Sequence, residues 1–211
     1  MYLHVTISAT SNQLLLKNLV VFASGSGSNF QSLIDAVSEG KLEANIVGLI
    51  SNNESAYAIE RADINGIQTL IISPNDFDSE TDYSIELLKT LKDWETDLIV
   101  LAGYLRKIPT EIIEVYRNRI LNIHPSLLPK YGGKGFYGSK VHEAVIKNKE
   151  IESGCTVHLV TEEYDKGPIL GQAKVQITET DSPADLAKKV LEKEHQLLSE
   201  VIQEYLKPFK N

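Results

Sequence analysis

The sequence predicts an α/β chain: a single open, mostly parallel sheet flanked by helices, with an antiparallel strand pair in its C-terminal part. Three observations predict it. Short continuous apolar runs, the kind buried on both faces of a parallel sheet, recur through the first half. Helical stretches separate them, which implies right-handed crossovers between parallel neighbours. A glycine-rich turn joins the first run to the first helix, as in Rossmann-like sheets.

Residues 1–16 are weakly patterned and read as an N-terminal extension, dispensable to a domain spanning 17–211. The runs Leu19–Ala23, Asn45–Ile50, Thr69–Ile72 and Leu98–Ala102 are the first four strands. Helices are expected near 28–38, 55–65 and 80–93 between them. Ile120–Ile123 is a fifth strand, stopped by Pro125. Cys155–Val160 and Gly171–Ile177 form the antiparallel pair. A last helix runs from Pro183 to Leu206, with Ser182 as its N-cap and proline in its first turn. Tyr57, Tyr83, Tyr116 and Trp94 read as packing residues.

Of the 211 residues, 42% are apolar and 24% charged, ordinary for a globular protein of one large α/β domain. No apolar run approaches the roughly 20 residues of a membrane helix, and residues 1–16 lack a basic region and a cleavage-like site. Cys155 is alone, which excludes an intrachain disulfide and a cysteine-based zinc site. A cytoplasmic protein is expected. The net charge of −8, with Lys and Arg dispersed, argues against a nucleic-acid partner but not against a small phosphorylated one.

Three stretches carry chemistry. Ser24-Gly25-Ser26-Gly27-Ser28-Asn29 sits between strand and helix, where backbone amides at a helix start can meet a phosphate. No Gly-Lys-Ser/Thr follows, Phe30 replaces a third glycine, and the second strand ends Ser51-Asn52-Asn53 without an acid for a ribose. Nicotinamide binding is therefore disfavoured. The loop is either a phosphomonoester site or a plain turn capped by Ser28 or Asn29.

In "LNIHPSLLP", Asn122 and His124 lie two apart on a strand, so they share a face at the sheet's C-terminal edge. Together they can serve a developing oxyanion, or merely satisfy buried carbonyls. Asp165, before Lys-Gly-Pro, is either a carboxylate for that pair or a turn former. Gly132–Gly138 holds four glycines in seven residues and suggests a lid, from which Tyr137 could reach a ligand. Among other histidines, His158 is expected mid-strand, either packed or supporting the site residues, His142 solvated on a polar helix, His195 near Glu194, and His4 in the extension. The acidic pairs Glu162-Glu163 and Glu192/Glu194 read as solvated surface.

"FASGSGSNFQSLIDA", "IVLAGYLRKI", "LNIHPSLLPKYGG" and "GCTVHLVTEEYDKGPILGQAKV", in that order, resemble the phosphoribosylglycinamide formyltransferases, from about Lys17 to Leu206. The "SGSGSN" loop, and a chain ending soon after the last helix, favour this group over its two-domain relatives. The resemblance implies the formyltransferase fold and formyl transfer from 10-formyltetrahydrofolate to the amine of glycinamide ribonucleotide, by a monomer or homodimer without a metal. It places Asn122, His124 and Asp165 as catalytic, and Gly27, Ser28 and Asn29 at the phosphate. Glu194 falls at the ribose hydroxyls, and Leu105, Arg106, Ile108, Val160 and Thr161 around the folate. Asp165 is then expected to hold His124 as an imidazolium, within an apolar pocket made by Leu101, Leu105 and Ile108. One departure is Glu80, where many members carry an arginine that meets an acidic ligand group; another cation must serve.

Overall fold

The computed structural model describes residues 16–207, so most of the expected extension lies outside the described residues. β1 (Lys17–Phe22), α1 (Ser28–Ser38), β2 (Ala44–Ser51), α2 (Tyr57–Ile64) and β3 (Gln68–Ile71) build one half. A 3-10 turn at Pro74–Asp76 leads into α3 (Glu80–Asp93), β4 (Leu98–Leu101), α4 (Thr110–Val115) and β5 (Ile120–His124). α5 (Ser139–Lys147), β6 (Glu152–Leu159), β7 (Ile169–Gln176) and α6 (Pro183–Leu206) follow.

The sheet order is β3-β2-β1-β4-β5-β6-β7. β1 to β5 are parallel, while β6 runs antiparallel to β5 and β7 antiparallel to β6. The fold class read from the sequence is the one found. β6 starts earlier than expected because Glu152–Gly154 pair with Lys174–Gln176, and β7 because Ile169 pairs with His158. Helix α4 was not expected: at six residues it is too short to show a helical period.

Alternation along the central strands divides the core in two. Leu19, Val21 and Ala23 face a layer containing Phe30, Leu33, Val141, Leu186 and Val190. Val20 and Phe22 face Tyr83, Leu87, Ile112 and Tyr116. Each fully buried large apolar side chain contributes about 1.5–3 kcal/mol relative to exposure. Trp94 packs on the second layer as expected. Tyr57 is a correction: it is 50% exposed, beneath Arg61 rather than in the core. No described helix is long and apolar enough to cross a membrane.

The chain leaves β1 towards β2 and β3, then returns through α3 to β4 on the other side of β1. The loops after β1 and β4 therefore diverge at the C-terminal edge, which is where open α/β sheets hold ligands.

Candidate active site

A cavity of about 650 Å³ opens at this switch point. Its wall combines Gly25–Asn29, Leu101–Ile108, Asn122–Pro125, Gly133–Ser139, Val160–Asp165 and part of α6 including Glu194. All twelve residues singled out from the sequence line it. The distances below determine what each can do.

The Gly25–Asn29 loop ends at Gly27, the N-cap of α1, with φ 67° and no side-chain cap. Neither Ser28 nor Asn29 caps the helix. α6, by contrast, is closed by a Ser182–Asp185 capping box. The first turn of α1 thus lines the cavity with no side-chain cap and no acidic residue of its own, a suitable seat for an anion. A Cβ at Gly27 would lie 2.7 Å from Ala58 Cβ, so glycine is needed for the α1–α2 approach as well as for the backbone angle. Arg61, which sequence reasoning missed, braces the loop from outside: its Nε donates to Ser26 O at 2.9 Å.

Asn29 Nδ2 donates to Glu194 Oε2 at 2.9 Å. Glu194 is only 7% exposed, so the reading of a solvated acidic pair fails for it, although Glu192 is exposed. Burial pushes the Glu194 carboxyl up to about 7, against the pull of Asn29. Asn29 Oδ1 is buried without a hydrogen-bond partner.

β5 ends in the reactive cluster. Asn122 lies opposite His158 in the β5–β6 register, and Asn122 Nδ2 is 3.0 Å from His158 Nε2. His158 Nδ1 donates to Leu159 O at 2.8 Å, which leaves Nε2 as the acceptor for the amide. The second N–H of Asn122 is then aimed by a fixed imidazole. Of the two expectations for His158, the structure fits the one that supports the site residues; which residues it would meet was not legible, because strand register is a tertiary fact.

His124 Nε2 donates to Tyr131 O at 2.8 Å. Its Nδ1 faces Asp165 Oδ2 at 3.7 Å, and Asp165 Oδ1 lies 3.5 Å from His158 Nε2. Both gaps exceed a direct hydrogen bond. Asp165 itself adopts φ 55° and accepts from Gly133 N at 2.7 Å. Burial works to raise its pKa, but His158, His124 and the Gly133 amide outweigh it and hold the carboxyl below its usual range. For His124, burial is the largest influence and pushes the imidazole down, further than Asp165 and the Tyr131 carbonyl pull it up. Desolvation thus works against the expected imidazolium, and the Asp165 carboxylate works for it.

Leu101, Leu105 and Ile108 all line the apolar wall, the first and last buried and Leu105 57% exposed at its rim. Ile113, Tyr104 and Val160 complete the wall. Among the described residues the lining lysines and arginines are Arg106, Lys107 and Lys134; Glu80 lies outside on the exposed start of α3. The 133–138 loop forms one side of the cavity, with Phe136 edge-on to Tyr131 and Tyr137 under the Lys140 ammonium. His142, expected in solvent, is 6% exposed, because α5 turns that face inward with Val141 and Val145. His195 is half-buried, with Asp35, Arg61 and Glu192 as its charged neighbours.

The formyl transferase family pattern matches residues 17–202. The chain is 39% identical to the phosphoribosylglycinamide formyltransferase of Escherichia coli strain K12, over 88% of this chain and 85% of that protein. The chain belongs to the phosphoribosylglycinamide formyltransferase family. The chloroplastic member from Arabidopsis thaliana is 42% identical over 93% of this chain, which spans 68% of that protein. For the chloroplastic Vigna unguiculata member the identity is 44% over 89% of this chain, which spans 60% of it. The crystal structure of the Bacillus halodurans member superposes with TM-score 0.86 at 34% identity, over 92% of this chain and 98% of that one. A formyltetrahydrofolate deformylase from Pseudomonas syringae shares the fold at TM-score 0.80 and 23% identity. This formyltransferase is thus a transferase by family, and its cavity has to be read for substrates and steps.

Proposed function

We propose that this chain transfers the formyl group of 10-formyltetrahydrofolate to the amine of glycinamide ribonucleotide, a step of purine biosynthesis. One observation carries the reading: a single cavity holds an uncapped helix start, an apolar wall, and an amide, an imidazole and a carboxylate between them. The phosphate sits on the amides of Gly27, Ser28 and Asn29. The ribose hydroxyls reach Glu194 and the unpaired Asn29 Oδ1. The pteridine enters between Leu101, Ile108, Ile113 and Val160, meeting backbone groups of Leu105, Arg106 and Thr161.

The amine attacks the formyl carbon, and the carbonyl oxygen becomes an oxyanion. The free N–H of Asn122 donates to it. The resting His124 is neutral with a lone pair on Nδ1, since Nε2–H is committed to Tyr131 O. Nδ1 takes the proton that nitrogen loses, directly or through water. The cation so formed lies beside Asp165, which stabilises it, and donates to the oxyanion more strongly than a neutral ring. The same proton then passes to the folate nitrogen as it leaves. The apolar wall limits water and hence loss of formate.

The test is to mix the protein with 10-formyltetrahydrofolate and follow deformylation with and without glycinamide ribonucleotide. Turnover that requires the ribonucleotide, with the formyl group recovered on it, is expected. Release of formate at the same rate without it would identify a hydrolase, and transfer to a different amine would replace the acceptor.

A further inference from the structure

Ser24 lies just before the phosphate loop and beneath the cavity rather than in its wall. Its side chain and backbone each join different strand ends. Leu105 N donates to Ser24 Oγ at 2.9 Å, and the hydroxyl passes its own proton bond to Asn52 Oδ1. Ser24 N donates to Gly103 O at 3.1 Å, and Asn53 Nδ2 donates to Ser24 O at 3.1 Å. Asn53 is held in turn by Ser51, whose Oγ donates to Asn53 O. The ends of β1, β2 and β4 are thus tied through one residue that is 6% exposed. This also gives a role to the Ser51-Asn52-Asn53 ending of β2, which contacts neither proposed substrate.

The loop after β4 most needs such a tie. Leu105 and Arg106 are exposed, Gly103 has φ 75°, and the loop has no regular structure between β4 and α4. Its proposed task is to offer backbone groups to the pteridine, so its height relative to the Gly25–Asn29 loop sets the distance between formyl carbon and amine. A displacement of about 1 Å between reacting partners can cost on the order of 100-fold in rate.

We propose that Ser24 is a positioning residue that fixes the folate loop against the phosphate loop through the relay Leu105 N–H, Ser24 O–H, Asn52 Oδ1. The inference rests on the substrate assignment above. Ser24→Ala removes the shared oxygen with little change of volume. Three readings test it: hydrogen exchange at the Leu105 amide, affinity for a hydrolysis-resistant 10-formyl folate analogue, and affinity for the ribonucleotide. Leu105 exchange should accelerate at least tenfold while amides within β1 keep their protection. Analogue affinity should fall about 3- to 10-fold, the effect of one hydrogen bond. Ribonucleotide affinity should stay within about twofold.

Ser24→Thr, which keeps the oxygen, should restore both altered readings. Asn52→Ala cuts only the outer link and should move them the same way by less; it serves if Ser24→Ala does not fold. Unchanged exchange at Leu105 would overturn the relay. Faster exchange with unchanged analogue affinity would overturn its positioning role, as would equal loss of both ligands with a lower melting temperature. A wild-type protein that binds no folate analogue but shows the Leu105 protection would instead sink the substrate assignment.

Discussion

The proposed phosphate loop and the proposed reaction centre are built in opposite ways. Gly25–Asn29 is five consecutive residues whose useful groups are main-chain amides, shaped by one glycine at φ 67°. The proposed reaction centre gathers the side chains of Asn122, His124, His158 and Asp165 from a strand, its antiparallel neighbour and a connection. A contiguous backbone site depends on local geometry, so substitutions there should act on binding and folding together. A dispersed side-chain site depends on register, so its members can be changed with the fold intact and the chemistry lost.

The sharpest separation should come from Asp165→Asn. Asparagine tolerates the left-handed backbone and can still accept from Gly133, but it cannot stabilise a cation on His124. We expect kcat to fall about 100-fold or more, with both substrate affinities and the melting temperature close to wild type. Single-turnover transfer beside a thermal melt checks this. A folded variant with near-normal turnover would remove Asp165 from the chemistry.

Gly27→Val should show the opposite pattern. The new Cβ meets Ala58 and the backbone angle is unfavourable, so stability should drop by about 1–3 kcal/mol. Ribonucleotide affinity should suffer more than folate affinity. A chemical denaturation curve and the two KM values decide; a fully stable variant would mean that α2 yields easily.

His158→Leu tests whether register alone aims Asn122. The amide loses its acceptor, and kcat should fall roughly tenfold with KM values within about twofold. If Asn122→Ala alone is no worse than His158→Leu combined with Asn122→Ala, the two act as one unit. A fall in kcat that is fully additive would separate them.

The pH dependence discriminates next. With Nδ1 of His124 as the base and burial holding its pKa below the ordinary value of about 6.5, kcat/KM should keep its plateau below pH 6.5 before its acidic limb. An acidic limb that begins at higher pH and vanishes in His124→Asn would reverse the assigned resting state.

Glu194 should show itself in stability against pH rather than in turnover. Its folded pKa of about 7 exceeds the roughly 4.3 of an unfolded glutamate, so the folded protein keeps a proton the unfolded chain has lost. This group's contribution is full below about pH 4.3 and is lost as pH rises through about 7. Glu194→Gln should therefore gain stability relative to wild type between pH 5 and 8, by at most a few kcal/mol. A pH-independent difference in denaturation midpoints would show that Glu194 ionises normally.

The same contrast explains what the sequence could reveal. Strand runs such as Leu98–Leu101 are buried on both faces and therefore unbroken, so the sheet was legible. The glycine loop was legible because its signal is local. Asn122 and His124 could be paired by strand period, but their partners could not: Tyr131 O meets His124 through the fold of 125–131, and His158 meets Asn122 only through antiparallel register. His142, and Glu194 by residue pattern apart from the resemblance, were hidden for a related reason. Each is a polar residue on a helix whose inward face includes the cavity, so polarity alone places it wrongly in solvent. For His124 the partner carboxylate is visible in sequence, while the opposing desolvation is visible only in the fold.

The left-handed backbone of Asp165 has a consequence for how the protein can fail in a cell. Glycine, asparagine and aspartate are the residues that suit that conformation, and only aspartate brings a charge. Chance replacement by asparagine, which can still accept from Gly133, would escape the chaperones and proteases that remove unstable chains, because nothing would unfold. Such an allele would be expressed at ordinary abundance, bind its ligands and sequester them unproductively. Loss of activity at this position should therefore be seen in metabolite levels while protein levels stay normal.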